Sequence, residues 1–422
     1  MSFFKRKRKD KFTKVEEFYQ TNDAFCIMPW VHFHVTQEGS VTPCCQAKWD
    51  KELAFGDINH QSIAKVWEGD GMNAFRKSMV KGKMDIRCLR CYEKEKDGWT
   101  SLRNITNKKY EQEVLQVANG EEDGFKRPVY LDIRFSNKCN LRCRICGPWS
   151  SSNWAHDFAL LNGEKYQGEN ITYGVKDQTK FLKELRELMP YLREIYFAGG
   201  EPLLIDANYE ILEMLIHENR TDVELFYNTN CTVLEYKDKS ILDYWKLFSK
   251  VTVAASIDDH GPAFEYHRKN AKWDVVESNI KKIVESPSNI KFILSPTISI
   301  YNIYHLPSFH HYMFDQGLIK MDDFIPTLLV QPAEYNIQSL PLELKEEVRV
   351  KLEEHILWLT QVMDLGNEQA QYCLSQFRNI LTFLFAKNDP TLWSKLLTKE
   401  NAMDKIRGES FMQVFPEYAK YG

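Results

Sequence analysis

The sequence lacks any long uninterrupted hydrophobic run. No stretch approaches the roughly 20 apolar residues that a membrane-spanning helix needs. The polar residues Lys14, Glu16 and Glu17 stand where a secretory signal would be apolar. Charge of one sign is also scarce, because 55 basic and 59 acidic side chains leave a net charge of -4. We therefore expect a cytoplasmic protein with no membrane partner and no strong nucleic-acid signal.

Cysteine is the informative residue type in this chain. Three of the ten cysteines, Cys139, Cys143 and Cys146, form a C-x3-C-x2-C pattern directly after the strand-like run Val129 to Phe135. This spacing lets three thiolates face a common point, as a soft metal or an iron-sulfur cluster requires. A structural zinc or a plain electron-transfer cluster, which is the alternative, would normally add a fourth cysteine nearby, but Cys231 lies in a different predicted element. The pattern favours a cluster with one coordination position open to an external molecule.

Strand-like and helical segments alternate through the middle of the chain, which is typical of parallel βαβ units. The predicted strands are Val129–Phe135, Ile195–Phe197, Val223–Tyr227, Val251–Ile257, Ile290–Ile300 and Ile325–Val330. They predict an α/β fold with a partial (β/α)6 TIM-like barrel over residues 128–340, whose functional residues gather at the carboxyl ends of the strands. Apolar residues at helical spacing predict a helical extension over residues 341–422.

The part of the chain before the predicted barrel forms a different unit. Residues 1–20 carry a basic run, Lys5 to Lys11, and are predicted to be a flexible tail. Residues 21–110 are predicted to form a cysteine-rich domain, and the charged residues 111–127 a linker. The hairpin-like pattern Phe33 to Thr42 turns at Glu38-Gly39. Because so small a unit has little core, its five thiols predict a stapling metal site.

The cysteine triple, Gly199-Gly200-Glu201-Pro202 after the second strand and the βα pattern together resemble a radical S-adenosylmethionine (SAM) enzyme over about residues 128–335. The resemblance implies that Cys139, Cys143 and Cys146 hold a 4Fe-4S cluster and that SAM occupies its fourth site. It further implies that one electron, from a low-potential donor such as a ferredoxin or flavodoxin, cleaves SAM to methionine and a 5'-deoxyadenosyl radical. This radical abstracts hydrogen from the substrate.

The same resemblance implies a set of cofactor-binding residues. They are Gly199, Gly200, Glu201, Pro202, Asn228, Ser256, Asp258 and Arg268. The two glycines allow close backbone approach, Glu201 and its neighbours accept hydrogen bonds from an ammonium, and Arg268 suits a carboxylate through its planar fork. The sequence departs from the family at Ile145, where relatives carry an aromatic residue, and at Cys231, where they carry glycine.

The amino-terminal cysteines resemble the region called SPASM or, in its shorter form, twitch. The motifs that resemble it are Cys26-Ile27-Met28-Pro29-Trp30, Pro43-Cys44-Cys45 and Cys88-x2-Cys91. The resemblance implies an auxiliary 4Fe-4S cluster bound by Cys26, Cys44, Cys88 and Cys91. Cys45 is an alternative to Cys44 as the ligand, and zinc is an alternative to the cluster. Such regions usually follow the barrel, whereas this one precedes it.

These features lead to one expected function and two alternatives. We expect a radical SAM oxidoreductase or maturase, since related proteins with an auxiliary cluster often modify a peptide or protein. One alternative is radical modification of a small molecule such as a sugar or nucleotide. The other is a non-catalytic iron-sulfur or zinc scaffold that binds a partner protein.

Overall fold

The computed structural model describes residues 11–48, 50–96, 98–168 and 170–422. Two compact units make up the chain: the first unit is Met1–Ile133 with Gly174–Glu194, and the second unit is Arg134–Tyr173 with Ile195–Gly422. Most of the basic run predicted as a tail, residues 5–10, lies outside the described residues. Among the described residues, none of the helices combines the length and hydrophobicity that crossing a lipid bilayer requires.

Short strands and mostly short helices follow one another along the described residues. The strands are β1 His32–Val35, β2 Ser40–Thr42, β3 Gly56–Asp57, β4 Tyr130–Ile133, β5 Arg142–Cys143, β6 Glu194–Phe197, β7 Glu224–Thr229, β8 Glu235–Tyr236, β9 Lys239–Ser240, β10 Val251–Ala255, β11 Arg268–Lys269, β12 Ile290–Leu294, β13 Thr297–Ile298 and β14 Thr327–Leu328. The helices are α1 Val15–Tyr19, α2 Met28–Val31, α3 Ile63–Trp67, α4 Asp70–Val80, α5 Leu89–Lys96, α6 Leu102–Lys109, α7 Glu111–Ala118, α8 Trp154–Leu161, α9 Gln178–Leu188, α10 Asp206–His217, α11 Ile241–Trp245, α12 Gly261–His267, α13 Trp273–Val284, α14 Leu306–Asp315, α15 Leu342–Val362, α16 Glu368–Phe385, α17 Pro390–Arg407 and α18 Phe411–Val414.

The first unit contains a small sheet beside a helical core. Strands β1 and β2 form an antiparallel hairpin with His34 opposite Thr42, as the glycine turn predicted. Gly39 turns this hairpin with φ 91°, a left-handed conformation that favours glycine. On its other side β1 runs parallel to β4, with His32 opposite Tyr130. The hairpin therefore ends immediately before the Cys44 region.

Two predicted boundaries of the first unit differ from the structure. The helix α1, inside the expected tail, buries Val15 and Phe18 in the core of the unit. The helix α7, inside the expected linker, buries Val114 and Val117 in the same core. In both helices the two apolar residues are three positions apart and share one face, which the surrounding charged residues obscured in the sequence. The ordered unit therefore begins before residue 20 and extends past residue 110.

Parallel strands form the sheet of the second unit, in the order β12-β10-β7-β6. Val251 of β10 lies opposite Leu225 of β7 and opposite Ile290 of β12. Every residue of β10 is buried, as expected of a parallel strand covered on both faces. The predicted α/β fold class is confirmed. The sixth strand is shorter than predicted, because only Thr327–Leu328 pairs with β13.

The predicted carboxyl-terminal helical extension is present in the second unit. Helices α15 and α16 match the two amphipathic stretches that the sequence indicates. A third long helix, α17, ends at Gly408, whose φ of 65° is the left-handed cap that favours glycine. The short helix α18 follows and buries Phe411.

Candidate functional site

Residues 139–146, called the cysteine loop below, contain a short strand. This strand, β5, pairs antiparallel with β11, so that Cys143 lies opposite Arg268. The backbone N–H of Cys146 donates to the carbonyl of Cys143 at 3.0 Å. The indole N–H of Trp154 donates to the same carbonyl at 2.8 Å. Backbone pairing and these two bonds therefore fix the middle of the loop.

The three thiols of the cysteine loop influence one another electrostatically. Burial raises the pKa of Cys139 above its ordinary value, and the neighbouring Cys143 raises it further. Burial likewise raises the pKa of Cys146 to about 12, again with a contribution from Cys143. Thiols that oppose one another's ionisation lie close together, and a bound metal cation would supply the compensating charge. The donor set thus fits an iron-sulfur cluster, in which each thiolate binds a different iron.

Polar N–H groups lie close to two of these three sulfur atoms. The backbone N–H of Leu141 lies 3.5 Å from the Cys139 sulfur, and the side-chain amide of Asn230 lies 4.0 Å from it. A guanidinium nitrogen of Arg268 lies 3.7 Å from the sulfur of Cys143. N–H donors of this kind stabilise metal-bound thiolates and tune iron-sulfur clusters. They provide a second reason why these residues fit an iron-sulfur cluster.

The turn Gly199–Pro202 lies directly on the backbone that precedes Cys139. Gly200 has φ 55°, and a Cβ added there would lie 2.2 Å from the carbonyl oxygen of Lys138. Gly199 has φ 87°, with the side chain of Arg134 close by. The N–H of Glu201 donates to the Lys138 carbonyl at 2.8 Å. The close approach predicted for the glycines is present, and its partner is the polypeptide itself.

Glu201 joins this turn to the end of β7. Its carboxylate accepts hydrogen bonds from the hydroxyl of Thr229 at 2.8 Å, the N–H of Asn230 at 2.8 Å and the N–H of Leu203 at 3.1 Å. Burial raises the pKa of Glu201 to about 7, and these hydrogen bonds oppose the rise. About four acceptor positions exist on a carboxylate, so three are already used within the protein. The predicted contact with an ammonium group therefore depends on the remaining position and on the neighbours of Glu201.

Two predicted residues, Asn228 and Pro202, are not among the N–H donors close to the sulfurs. Asn228 is half-buried within β7, opposite Ala254. Pro202 is buried at the start of a 3-10 turn, where its carbonyl accepts a hydrogen bond from Asn208.

Asn230 is a site residue that the sequence did not single out. Its side-chain amide lies 4.0 Å from the Cys139 sulfur and donates to the side-chain oxygen of Asn140 at 3.0 Å. The sequence offered no signal for it, because the predicted strand ended at Tyr227, whereas β7 continues to Thr229.

The turn after β7 contains the unusual cysteine of the sequence. Cys231 is fully buried and has φ 55°, a left-handed conformation that favours glycine. Its carbonyl accepts a hydrogen bond from Asn279 at 2.9 Å. Burial raises the pKa of its thiol. This thiol is therefore held as a neutral, buried group.

Asp258 and Arg268, predicted as separate cofactor contacts, form an ion pair with each other. Two guanidinium nitrogens of Arg268 lie 2.8 Å from one carboxylate oxygen of Asp258. The N–H of Thr297 donates to the other oxygen at 2.7 Å. Burial opposes ionisation, but Arg268 and His267 hold the pKa of Asp258 well below its usual range.

Ser256, another predicted cofactor contact, is half-buried just after β10. Its backbone N–H donates to the backbone carbonyl of Thr229 at 2.8 Å.

The first unit brings four of its five cysteines around one recess, called the four-cysteine recess below. Its thiols come from Cys26, Cys44, Cys88 and Cys91, and Cys45 is not among the lining residues. Cys88 ends the 3-10 turn immediately before α5, and Cys91 lies in the first turn of α5, about one helical turn further on. The recess therefore brings together the four cysteines that were predicted as auxiliary ligands.

Buried thiols and neighbouring arginines also distinguish the four-cysteine recess. Burial raises the pKa of Cys88 to about 12, and it raises the pKa of Cys26 and Cys44 as well. The guanidinium groups of Arg87 and Arg103 line the recess. Thiols whose neutral form is favoured by burial, with cations close by, fit an iron-sulfur cluster whose ligation displaces the protons. Across the described ranges, no three histidine, cysteine, aspartate or glutamate side chains are arranged to hold a single metal ion.

Two family models match the chain. Residues 133–299 match the radical SAM superfamily, and residues 26–92 match SPASM, an iron-sulfur cluster-binding domain. The two matched regions include the cysteine loop and the four-cysteine recess respectively. The iron-sulfur clusters expected at both places, and SAM at the first, agree with these matches.

Curated relatives include two nucleotide cyclases. The chain is 30% identical over 236 residues to a protein named probable GTP 3',8-cyclase from Methanocaldococcus jannaschii, a match covering 54% of this chain and 70% of the relative. It is 26% identical over 174 residues to the GTP 3',8-cyclase of Campylobacter lari, covering 40% of this chain and 48% of that relative. The chain thus spans about half the length of the second relative.

Similar solved structures include two complexes with peptides. One is native anSMEcpe with bound AdoMet and Cp18Cys peptide, at 15% identity and a TM-score of 0.39, covering 56% of this chain and 60% of that one. Another is Streptococcus suis SuiB bound to the precursor peptide SuiA, at 14% identity and a TM-score of 0.36, covering 77% of this chain and 68% of that one.

Proposed function

The chain belongs to the radical SAM superfamily, and from this premise we propose that it is an oxidoreductase or maturase that modifies a peptide or protein. Its cofactors are a 4Fe-4S cluster, SAM and an auxiliary iron-sulfur cluster. The proposal rests on one observation above others: three buried, electrostatically coupled thiols in the cysteine loop, two of which have N–H donors close to their sulfurs. When bound, the cluster supplies the electron that splits SAM into methionine and a 5'-deoxyadenosyl radical.

The residues of the second unit have distinct parts in this proposal. Cys139, Cys143 and Cys146 are the cluster ligands. Arg268 and Asn230 lie within donating distance of two of their sulfurs, where N–H groups favour the thiolate form that a ligand adopts. We assign the remaining contacts to SAM to residues at the strand ends and the adjacent turn. They are Gly199, Gly200, Glu201, Pro202, Asn228, Ser256 and Asp258.

The residues of the four-cysteine recess hold the auxiliary cluster in the proposal. Cys26, Cys44, Cys88 and Cys91 provide four thiolates, which complete the ligation of a 4Fe-4S cluster without an external molecule. Cys44 is preferred to Cys45 because it lines the recess. A fully ligated cluster takes or delivers an electron rather than binding SAM.

Peptide or protein modification is the proposed substrate class because an auxiliary cluster accompanies the radical SAM core. In the family to which the chain belongs, this pairing often serves peptide maturation. A small nucleotide is the second candidate, since the curated relatives are named GTP 3',8-cyclases. A low-potential donor such as a ferredoxin or flavodoxin supplies the electron in either case.

One experiment tests the reaction and both substrate classes. Protein reconstituted with iron and sulfide without oxygen is given dithionite and SAM, and 5'-deoxyadenosine is measured by liquid chromatography. We expect this product from the wild type and none from Cys143→Ala. Absence of the product from fully loaded wild-type protein would favour the scaffold alternative. Added GTP that disappears in step with product formation would favour the nucleotide candidate, whereas a mass change in candidate peptides supports the proposed one.

A further inference from the structure

Arg144, between two cysteines of the cysteine loop, is a charged side chain with no exposure to solvent. Its guanidinium lies 2.6 Å from Glu400, 2.6 Å from Asp404 and 2.7 Å from Glu409. A buried cation is costly unless paired and hydrogen-bonded, so these three carboxylates determine where Arg144 can lie. Its backbone N–H also donates to the carbonyl of His267 at 2.8 Å.

All three carboxylates come from the end of the chain, more than 250 residues after the loop. Glu400 and Asp404 are four residues apart on α17 and therefore share one face of that helix. Glu409 follows the glycine that ends the helix, and its other oxygen accepts from Lys269 at 2.6 Å. Lys269 belongs to β11, the strand that pairs with the cysteine loop.

The last residue of α17, Arg407, contacts the residue that precedes Cys143. Arg407 donates to the backbone carbonyl of Arg142 at 2.7 Å. Arg407 and Arg142 both pair with the fully buried carboxylate of Asp157, at 2.8 Å and 2.7 Å. The residues immediately before and after Cys143 are therefore both connected to α17.

Two tyrosines keep the acidic end of this network in one geometry. The hydroxyls of Tyr266 and Tyr301 donate to Glu400 at 2.9 Å and 2.7 Å. The ring of Tyr266 also lies 3.6 Å beneath the guanidinium of Arg144, a cation–π distance. Four cations and four carboxylates take part in the network, so it is neutral as a whole. They are Arg142, Arg144, Lys269, Arg407, Asp157, Glu400, Asp404 and Glu409.

We propose that α17 and Glu409 are a built-in part of the SAM-cluster site rather than a separate appendix. Glu400, Asp404 and Glu409 act as positioning residues through Arg144, and they hold the cysteine loop in its ligating shape before iron arrives. This inference rests on the proposed function, because it concerns the same cluster. Groups of this kind, one step behind metal ligands, commonly change metal affinity by about 10- to 100-fold when removed.

The test uses the full-length, reconstituted protein and measures the two clusters separately. Arg144→Met removes the cation while keeping the aliphatic stem, and Asp404→Asn is a milder change of one carboxylate at nearly constant shape. The matched control is Arg349→Met, since Arg349 also bridges two carboxylates, Glu346 and Glu353, but is 39% exposed on α15. Iron and sulfide are counted, and the electron paramagnetic resonance (EPR) signal is recorded with and without SAM. The rate of iron loss to a chelator is then measured.

We expect Arg144→Met to retain the auxiliary cluster, which lies in the other unit, while its SAM-responsive EPR signal is lost. Asp404→Asn should load both clusters but release the SAM-responsive one at least about 10-fold faster than the wild type. Arg349→Met should match the wild type in its SAM-responsive EPR signal and in its rate of iron release. If Arg144→Met does not fold by circular dichroism, Asp404→Asn decides the question.

Wild-type chelation rates and an unchanged SAM response in folded Arg144→Met or Asp404→Asn would overturn the positioning role. An equal increase in the rate of iron loss from both clusters would also overturn the positioning role, because that result indicates general destabilisation. Failure of the proposed function gives a different result, in which the wild type itself shows no response to SAM.

Discussion

Replacing Gly200 by alanine should disturb the cysteine loop through one backbone contact. The new Cβ would lie 2.2 Å from the Lys138 carbonyl oxygen, and real Cβ contacts are essentially never closer than 3.0 Å. The turn and the backbone before Cys139 must therefore move apart by at least about 0.8 Å. This movement also strains the hydrogen bond from Glu201 to the same carbonyl, 2.8 Å long in the structure.

The cost of this substitution has two parts. Left-handed backbone costs about 1–2 kcal/mol for a residue with a Cβ. Overpacking against a well-packed backbone adds about 1–3 kcal/mol. We therefore expect Gly200→Ala to lower the free energy of unfolding by about 2–5 kcal/mol. Gly317→Ala isolates the first part, because Gly317 also has a left-handed φ, 66°, but nothing within 4 Å of an added Cβ.

Urea unfolding of both variants measures the stability difference, and the EPR spectrum of the reduced protein with and without SAM measures the effect on the site. Gly200→Ala should lose stability beyond Gly317→Ala and should lose its response to SAM. Gly317→Ala should keep that response. Equal stabilities together with an intact SAM response in Gly200→Ala would refute the close-contact reasoning.

Three further predictions concern the recess, the buried ion pair and acid stability. Cys88→Ala should reduce bound iron by about half while keeping the SAM-responsive EPR signal, because one of two clusters is lost. Arg268→Met should lower the free energy of unfolding in urea by about 3–5 kcal/mol, because the buried carboxylate of Asp258 loses its ion-pair partner. Burial lowers the pKa of His310 to about 4 and of His355 to about 2, from 6.5. Stability present above pH 6.5 should therefore fall as the pH drops toward 4, by up to about 1.4 kcal/mol per pH unit for each histidine, in urea unfolding at several pH values.

Controls exist for each of these predictions. Cys45→Ala should retain all its iron, and an iron loss equal to that of Cys88→Ala would contradict the ligand set. Adding Asp258→Asn to Arg268→Met should recover part of the lost stability, whereas a fully additive loss would contradict the ion-pair reasoning. His355→Phe should reduce the acid slope, since it removes one neutral buried imidazole. An unchanged slope would show that other groups cause the acid instability.

The fold class and the grouping of the cysteines were predictable because local patterns encode them. Parallel strands such as Val251–Ala255 are buried on both faces and therefore read as continuous apolar runs. The cysteine loop was recognisable because its three cysteines lie within eight consecutive residues. The hairpin before Cys44 was recognisable because its glycine turn separates two short β-branched and aromatic runs.

The polar surroundings of the site were not predictable in the same way. Arg144 meets Glu400 across 256 residues of sequence, and nothing in the local pattern distinguishes either residue from a surface charge. The pairing of Asp258 with Arg268 likewise depends on how α12 returns the chain to the strand ends. Only the register of β7 shows that the amide of Asn230, and not that of Asn228, lies past the end of the strand.

The central claim is that Cys139, Cys143 and Cys146 hold a cluster whose open iron binds SAM. The most direct test is the EPR spectrum of the dithionite-reduced, fully loaded protein before and after SAM is added. We predict that SAM changes the spectrum of the wild type and of Cys88→Ala, and that Cys143→Ala shows no such change. A wild-type spectrum that is identical with and without SAM would contradict the claim.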